Sequence, residues 1–222
     1  MSGRSGGQSG EVELVVFDLG RVLVRICDDW MHACSTAGIE LASRDLQAAD
    51  FIKLRDLVHA VEVNGIAFDE FAGEAGRVMG ATAAQVMSAS EAFVVGLYEG
   101  VPELLEELRA AGLKTACLSN TNEHHWGLLA DAQHPAFFPL NRLHHQFASH
   151  LIRARKPDEA IYAHLERETG VRGGSILFFD DVEENVKAAM RRGWKAEWID
   201  PERNDPMGQI REGLRAHGAI RS

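Results

Sequence analysis

Apolar positions along this chain come in blocks that change period. Val12-Glu13-Leu14-Val15-Val16-Phe17 is a β-branched run of strand length that stops at Asp18-Leu19-Gly20. Its nearly continuous apolarity predicts a strand covered on both faces, as in a parallel sheet flanked by helices. From about Asp28 to Gly96 the period becomes helical, with no strand expected. There Phe51, Leu54, Val58 and Val61 fall on one helix face, and Thr82-Ala83-Ala84-Gln85 has the form of a capping box. Asn64-Gly65 and Gly80 punctuate this stretch, which reads as a small helical bundle inserted after the first strand.

Strand and helix then alternate. Pro102 suits the first turn of a helix with Leu104, Leu105, Leu108 and Ala111 on its apolar face and Gly112 as its stop. Leu113 to Leu118 is the next predicted strand, ending at Ser119-Asn120. A helix follows around Glu123 to Ala130, then an extended piece near Phe147-Ala148-Ser149, and a helix from about Asp158 to Thr169. Ser175 to Phe179 is a buried strand running into Asp180-Asp181. A helix from about Glu183 to Arg192 leads to a last strand near Ala196 to Ile199. Met207, Ile210 and Leu214 form a stripe expected to pack back on the sheet. The order predicts an α/β fold, a doubly wound (Rossmann-like) parallel sheet with right-handed crossovers and a small α-helical insert. The expected division is a disordered Gly/Ser-rich tail at 1–10, the core at 11–27 and 97–222, and the helical insert at 28–96.

Size and charge narrow the partners. A chain of 222 residues that is 45% hydrophobic can bury a substantial core without disulfide or metal staples. Asp and Glu number 33 against 23 Lys and Arg, a net charge of -10. That surplus repels phosphodiester backbones and anionic lipid, so neither nucleic acid nor membrane is an expected partner. A small phosphate held through a bound cation stays compatible with it. Cys27, Cys34 and Cys117 form no CxxC pair and leave an odd thiol, which fits a reducing compartment. The opening MSGRSGGQSG lacks an apolar signal-peptide core, so a soluble, cytoplasmic protein is expected.

In doubly wound sheets, ligands bind beyond the carboxyl ends of the strands. The residues predicted there are Asp18, Ser119, Lys156 (before its helix, after a shorter strand), Asp180 and Asp181. Carboxylates converging on one rim repel one another unless a divalent cation lies between them, and hard oxygen donors suit Mg²⁺. A carboxylate can act as nucleophile toward a phosphoryl group, with a hydroxyl and an ammonium group holding its oxygens. Taken singly, each residue has a plainer reading: Asp18 as a turn former, Ser119 and Asn120 as a helix cap, Lys156 as a surface lysine, and Asp181 as a cap to the helix opened by Glu183 and Glu184. The ten histidines, including His124-His125 and His144-His145, show no zinc-ligand spacing. Phe51, Phe71, Met79 and Met87 are expected in the core of the insert.

Phe17-Asp18-Leu19-Gly20-Arg21-Val22-Leu23, Leu118-Ser119-Asn120-Thr121-Asn122, Arg155-Lys156-Pro157-Asp158 and Phe179-Asp180-Asp181-Val182-Glu183-Glu184-Asn185 resemble, in order, the four motifs of the haloacid dehalogenase (HAD) superfamily. The resemblance covers about Val12 to Asp200 and is similar to the Phe-Asp-Leu-Gly sugar-phosphate phosphatase branch. It implies that the helical insert is a cap, with Arg25, Asp28, Asp29 and Trp30 placed where such a cap would close on a substrate. It also implies that Asp18 is nucleophile and Mg²⁺ ligand, that the Gly20 carbonyl and Asp181 complete the metal site with Asp180, and that Ser119, Asn120 and Lys156 bind the phosphoryl group of a small metabolite. Most family phosphatases carry a second Asp where this chain has Gly20. Loss of such a general acid typically costs about 10²- to 10⁴-fold in rate. The implied activity is a Mg²⁺-dependent phosphatase; a metal-free 2-haloacid dehalogenase and a non-catalytic binding domain are the alternatives.

Overall fold

The computed structural model describes residues 11–40 and 46–221; the tail expected at 1–10 lies outside them. Strands β1 (Leu14–Phe17), β4 (Lys114–Ser119), β5 (His145–Ala148), β6 (Ile176–Asp180) and β7 (Lys195–Trp198) form one sheet in the order β5-β4-β1-β6-β7, parallel throughout. The first strand is thus central, flanked by the second and fourth predicted ones.

Period-two geometry explains the continuous apolar runs. Val15, Phe17, Cys117, Leu177 and Phe179 point to one face, under α5 (Val101–Ala110) and α10 (Pro206–Ala216). Leu14, Val16, Ala116, Leu118, Ile176 and Phe178 point to the other, under α8 (Glu159–Thr169) and α9 (Glu183–Arg191). A strand buried on both faces needs apolar residues at every position. Ile210 and Leu214 of α10 are fully buried, as their spacing predicted. α6 (Glu123–Ala130) follows β4, and a four-residue helix, α7 (Ser149–Ile152), follows β5.

Between β1 and α5 the chain forms α1 (Trp30–Thr36), α2 (Ala48–Glu62), α3 (Phe68–Met79) and α4 (Ala83–Phe93). Thr82 and Gln85 close the expected capping box at α4, and Gly80 ends α3 with φ of 73°. Phe71, Met79 and Val86 make a separate small core with Val61. Two expectations need correction. The strand-free stretch in fact ends in β3 (Val94–Leu97), which pairs antiparallel with β2 (Val24–Ile26) as a two-stranded neck, so the expected division at 96/97 falls inside a strand. β3 follows α4 without a turn residue, so nothing in the local pattern marks the change of period. Phe51 was expected inward but is 59% exposed among the described residues, because the α2 face against α3 begins a turn later, at Leu54. Among the described residues, no helix is long and apolar enough to cross a membrane.

Candidate active site

The site assembles at one rim of the sheet because adjacent parallel strands end there together. Asp18 follows β1, Ser119 ends β4, and Asp180 ends β6 with Asp181 next in the chain. Lys156 arrives just before α8, as expected, with the four-residue α7 between it and the short strand β5. Its Nζ lies 2.9 Å from Asp18 Oδ1 and 2.7 Å from Asp180 Oδ2, and its side chain is fully buried. Asp18, Asp180 and Asp181 each bring a carboxylate oxygen within 4.8 Å of the others. Among the described residues a second cation near the carboxylates is Arg21, with Nη1 at 3.7 Å from Asp181 Oδ2.

Two of the three carboxylates carry the strain of this crowding. Burial pushes Asp18 up to about 7, with Asp180 and Asp181 adding to the rise and Lys156 opposing it. Burial and Asp180 likewise raise Asp181, against the pull of Lys156 and Arg21. For Lys156, burial alone would lower the pKa, but Asp18 and Asp180 outweigh it and keep the ammonium charged. More negative charge than positive in a buried cluster of hard oxygen donors is an environment that fits a divalent cation such as Mg²⁺.

The structure separates the paired acids. Asp180 Oδ1 accepts from Val182 N–H at 2.8 Å and Asn185 Nδ2 at 3.0 Å, while Oδ2 accepts from Lys156 Nζ and, at 3.1 Å, from Asn185 Nδ2. Those four bonds occupy the acceptor capacity of the carboxylate. Asp180 therefore anchors Lys156, and Asp18 and Asp181 keep more capacity for a metal than it does. Asn120, expected to hold a phosphoryl group, has its side chain committed to the lysine backbone: Nδ2 donates to Lys156 O at 2.9 Å and Oδ1 accepts from Lys156 N–H at 2.8 Å. What it can offer an anion is its own backbone N–H. Ser119 is buried, and its hydroxyl makes no hydrogen bond among the described residues. Helix α6 is capped not by Ser119 or Asn120 but by Asn122, whose Oδ1 accepts from His125 N–H.

Gly20 adjoins a cavity of about 260 Å³ that runs from Gly20, Ser119 and Asn120 to Trp30, Val58, Val61, Phe71 and Phe93 of the helical insert. Of the expected closing residues only Trp30 lines it. Asp28 is exposed, pairs with His32 and lines a separate small cavity beside Arg21; Asp29 caps α1; Arg25 is exposed. Sequence reasoning missed Glu62 and Arg155, whose ion pair at 2.8 Å ties the end of α2 to the residue before Lys156. It also missed Arg21 and His125. Pairing across 93 residues leaves no local signal, whereas Arg155 is at least adjacent to a recognisable motif.

The sequence model for haloacid dehalogenase-like hydrolases matches residues 12–191, most of the chain. The chain belongs to that family. A relative, phosphatase MT3486 of Mycobacterium tuberculosis, is 33% identical over 127 residues, 55% of this chain and 52% of that protein; the chain thus matches about half the length of this curated relative. Two solved structures share the HAD fold. The HAD family enzyme BT-2542 of Bacteroides thetaiotaomicron, in complex with magnesium and inorganic phosphate, superposes with a TM-score of 0.67 at 21% identity, over 86% of this chain and 95% of that one. A dehalogenase superposes with a TM-score of 0.62 at 21% identity, over 85% of each chain. At that identity the likeness is one of fold.

Proposed function

We propose that the protein is a Mg²⁺-dependent phosphomonoester hydrolase of small metabolites, with Asp18 as nucleophile and the four-helix insert as its cap. The observation that carries this reading is the juxtaposition of three carboxylates with one buried ammonium at the strand ends. A haloacid site has no use for that surplus of acid, because carboxylates without a cation repel an anionic substrate. The phosphatase relative and the magnesium and phosphate complex of the Bacteroides enzyme point the same way.

In this mechanism the Asp18 carboxylate attacks phosphorus and the ester oxygen leaves, giving an aspartyl-phosphate; water then attacks phosphorus and releases inorganic phosphate. Lys156 Nζ, the Ser119 hydroxyl and the Asn120 N–H hold the non-bridging oxygens, and charge-assisted bonds of this kind stabilise the transition state most. Asp180 and Asn120 fix Lys156 from its two ends, so little of its rotamer entropy remains to be lost when substrate binds. Asp18, the Gly20 carbonyl and Asp181 would hold Mg²⁺. When bound, it neutralises charge on the carboxylates and the phosphoryl group.

Hydrolysis of p-nitrophenyl phosphate by wild type and Asp18→Asn, each with Mg²⁺ and with EDTA, tests the reading. The expected outcome is activity in wild type with Mg²⁺ alone. More than a tenth of wild-type kcat in a folded Asp18→Asn protein would remove Asp18 as nucleophile. Full activity in chelator on a haloacid would favour halide displacement instead.

A further inference from the structure

We infer that the cavity above Gly20 selects small phosphate esters whose esterified group is an aromatic ring, in preference to sugar phosphates; this rests on the phosphatase reading above. Two independent observations lead there. The first is the wall. Trp30, Val58, Val61, Phe71 and Phe93 surround the space beyond Ser119, and its volume of about 260 Å³ compares with the roughly 150 Å³ apolar cavity that holds a benzene ring. Much of its polar lining away from the phosphoryl end is already engaged: Glu62 Oε2 is ion-paired to Arg155, His125 Nε2 meets the Ser90 hydroxyl at 2.8 Å, and Asn122 caps α6. A sugar enclosed there would bury hydroxyls with few free partners, and unpaired buried hydroxyls weaken binding steeply. An aromatic ring asks for none, and it can stack on the rings that line the wall.

The second observation is the missing proton donor. Gly20 has no side chain, and the acids nearest in sequence do not reach the cavity: Asp28 lines a different one and Asp29 caps α1. His125 is held neutral at pH 7, since burial pushes it down to about 4. Glu62 is ion-paired with Arg155 at 2.8 Å. An ester oxygen at this site must therefore depart largely as an anion. A phenolate or an acyl carboxylate does so readily, whereas a sugar alkoxide does not. Wall and chemistry thus favour one class of substrate.

The test compares kcat/KM for 1-naphthyl phosphate, phenyl phosphate, glucose 6-phosphate and acetyl phosphate, the last a good leaving group with no ring. Both aryl esters are expected to exceed glucose 6-phosphate by at least 30-fold. Binding to Asp18→Asn, measured by titration calorimetry with Mg²⁺, is expected to show the same order. Val58→Thr and Val61→Thr keep side-chain volume while adding a hydroxyl, and each should lower the aryl-to-sugar ratio at least fivefold through KM. Equal or better hydrolysis of glucose 6-phosphate would overturn the inference and leave the phosphatase reading standing. An unchanged ratio in both folded threonine variants would overturn it as well. No hydrolysis of any ester, acetyl phosphate included, would overturn the phosphatase reading and the inference with it.

Discussion

Asp180 and Asn185 show how one residue comes to hold another in place. Asp180 is fully buried with four hydrogen bonds, one of them from the Lys156 ammonium. Asp180→Asn sets an amide N–H₂ against one of those donors and removes the charge opposite Lys156. It should cost about 2–4 kcal/mol in urea unfolding. Asn185→Ala removes a neutral donor and leaves the ion pair intact, so about 1 kcal/mol is expected; equal losses would refute the anchoring role. His125 supplies a pH signature. Its folded pKa is pushed by burial to about 4, below its ordinary 6.5, so between those values the unfolded chain binds the proton that the folded chain refuses. Stability from this group is whole above pH 6.5 and falls as the pH drops toward 4. Because the ring is only partly buried, the loss should be on the order of 1 kcal/mol, and His125→Gln should flatten that part of the stability-against-pH curve. Burial also pushes the Cys117 thiol up to about 12, which keeps it protonated and unreactive.

At the scale of elements, two glycines of helices make opposite predictions. A Cβ on Gly213 of α10 would lie 2.7 Å from Phe179 Cε1 and 3.0 Å from Glu197 Cγ, so the helix lies flush on β6 and β7. Gly213→Ala should lose about 1–3 kcal/mol as the helix is forced off the sheet. Gly127 of α6 is exposed and has nothing near its missing Cβ. Gly127→Ala should gain about 0.5–1 kcal/mol from helix propensity alone. Thermal unfolding of the two variants measures both signs, and a stabilised Gly213→Ala would show that the close packing does not constrain the helix. The sequence carries both glycines in plain sight but not this difference, which depends on what lies opposite. Strand β3 leaves no mark in the sequence for a related reason: a four-residue strand joined straight to a helix has too few positions to show its own period.

For the whole molecule, the crowded carboxylates link folding to a cation. If Mg²⁺ binds the folded chain at a concentration 100 times its dissociation constant, it adds about 2.7 kcal/mol of stability. For a chain of this size that is a rise in Tm of about 5–10 °C. Thermal unfolding in Mg²⁺ and in EDTA should show that rise, and Asp181→Ala should lose most of it. Identical melting of the wild type in both would deny the cluster a metal. The ion pair of Glu62 with Arg155 joins the helical insert to the strand-end site across the same cavity, so the two parts meet where the chemistry is expected.

Much of this protein is set by local pattern. Runs such as Leu14 to Phe17 and Ile176 to Asp180, apolar at nearly every position, can be satisfied only by burial on both faces. The polar residues that end those runs are then brought to one rim by parallel packing. Asp18, Ser119, Asp180 and Asp181 were legible for that reason, and Lys156 through the motif around it. Only the tertiary structure decided the rest. It distinguished Asp180 from Asp181 by which oxygens are already bonded, turned the Asn120 side chain toward Lys156, removed Asp28 and Asp29 from the cavity, and lined that cavity with rings from the insert. Hydrogen-bond partners and cavity walls come from residues distant in the chain, and sequence periodicity reports which face is buried but not what lies across it.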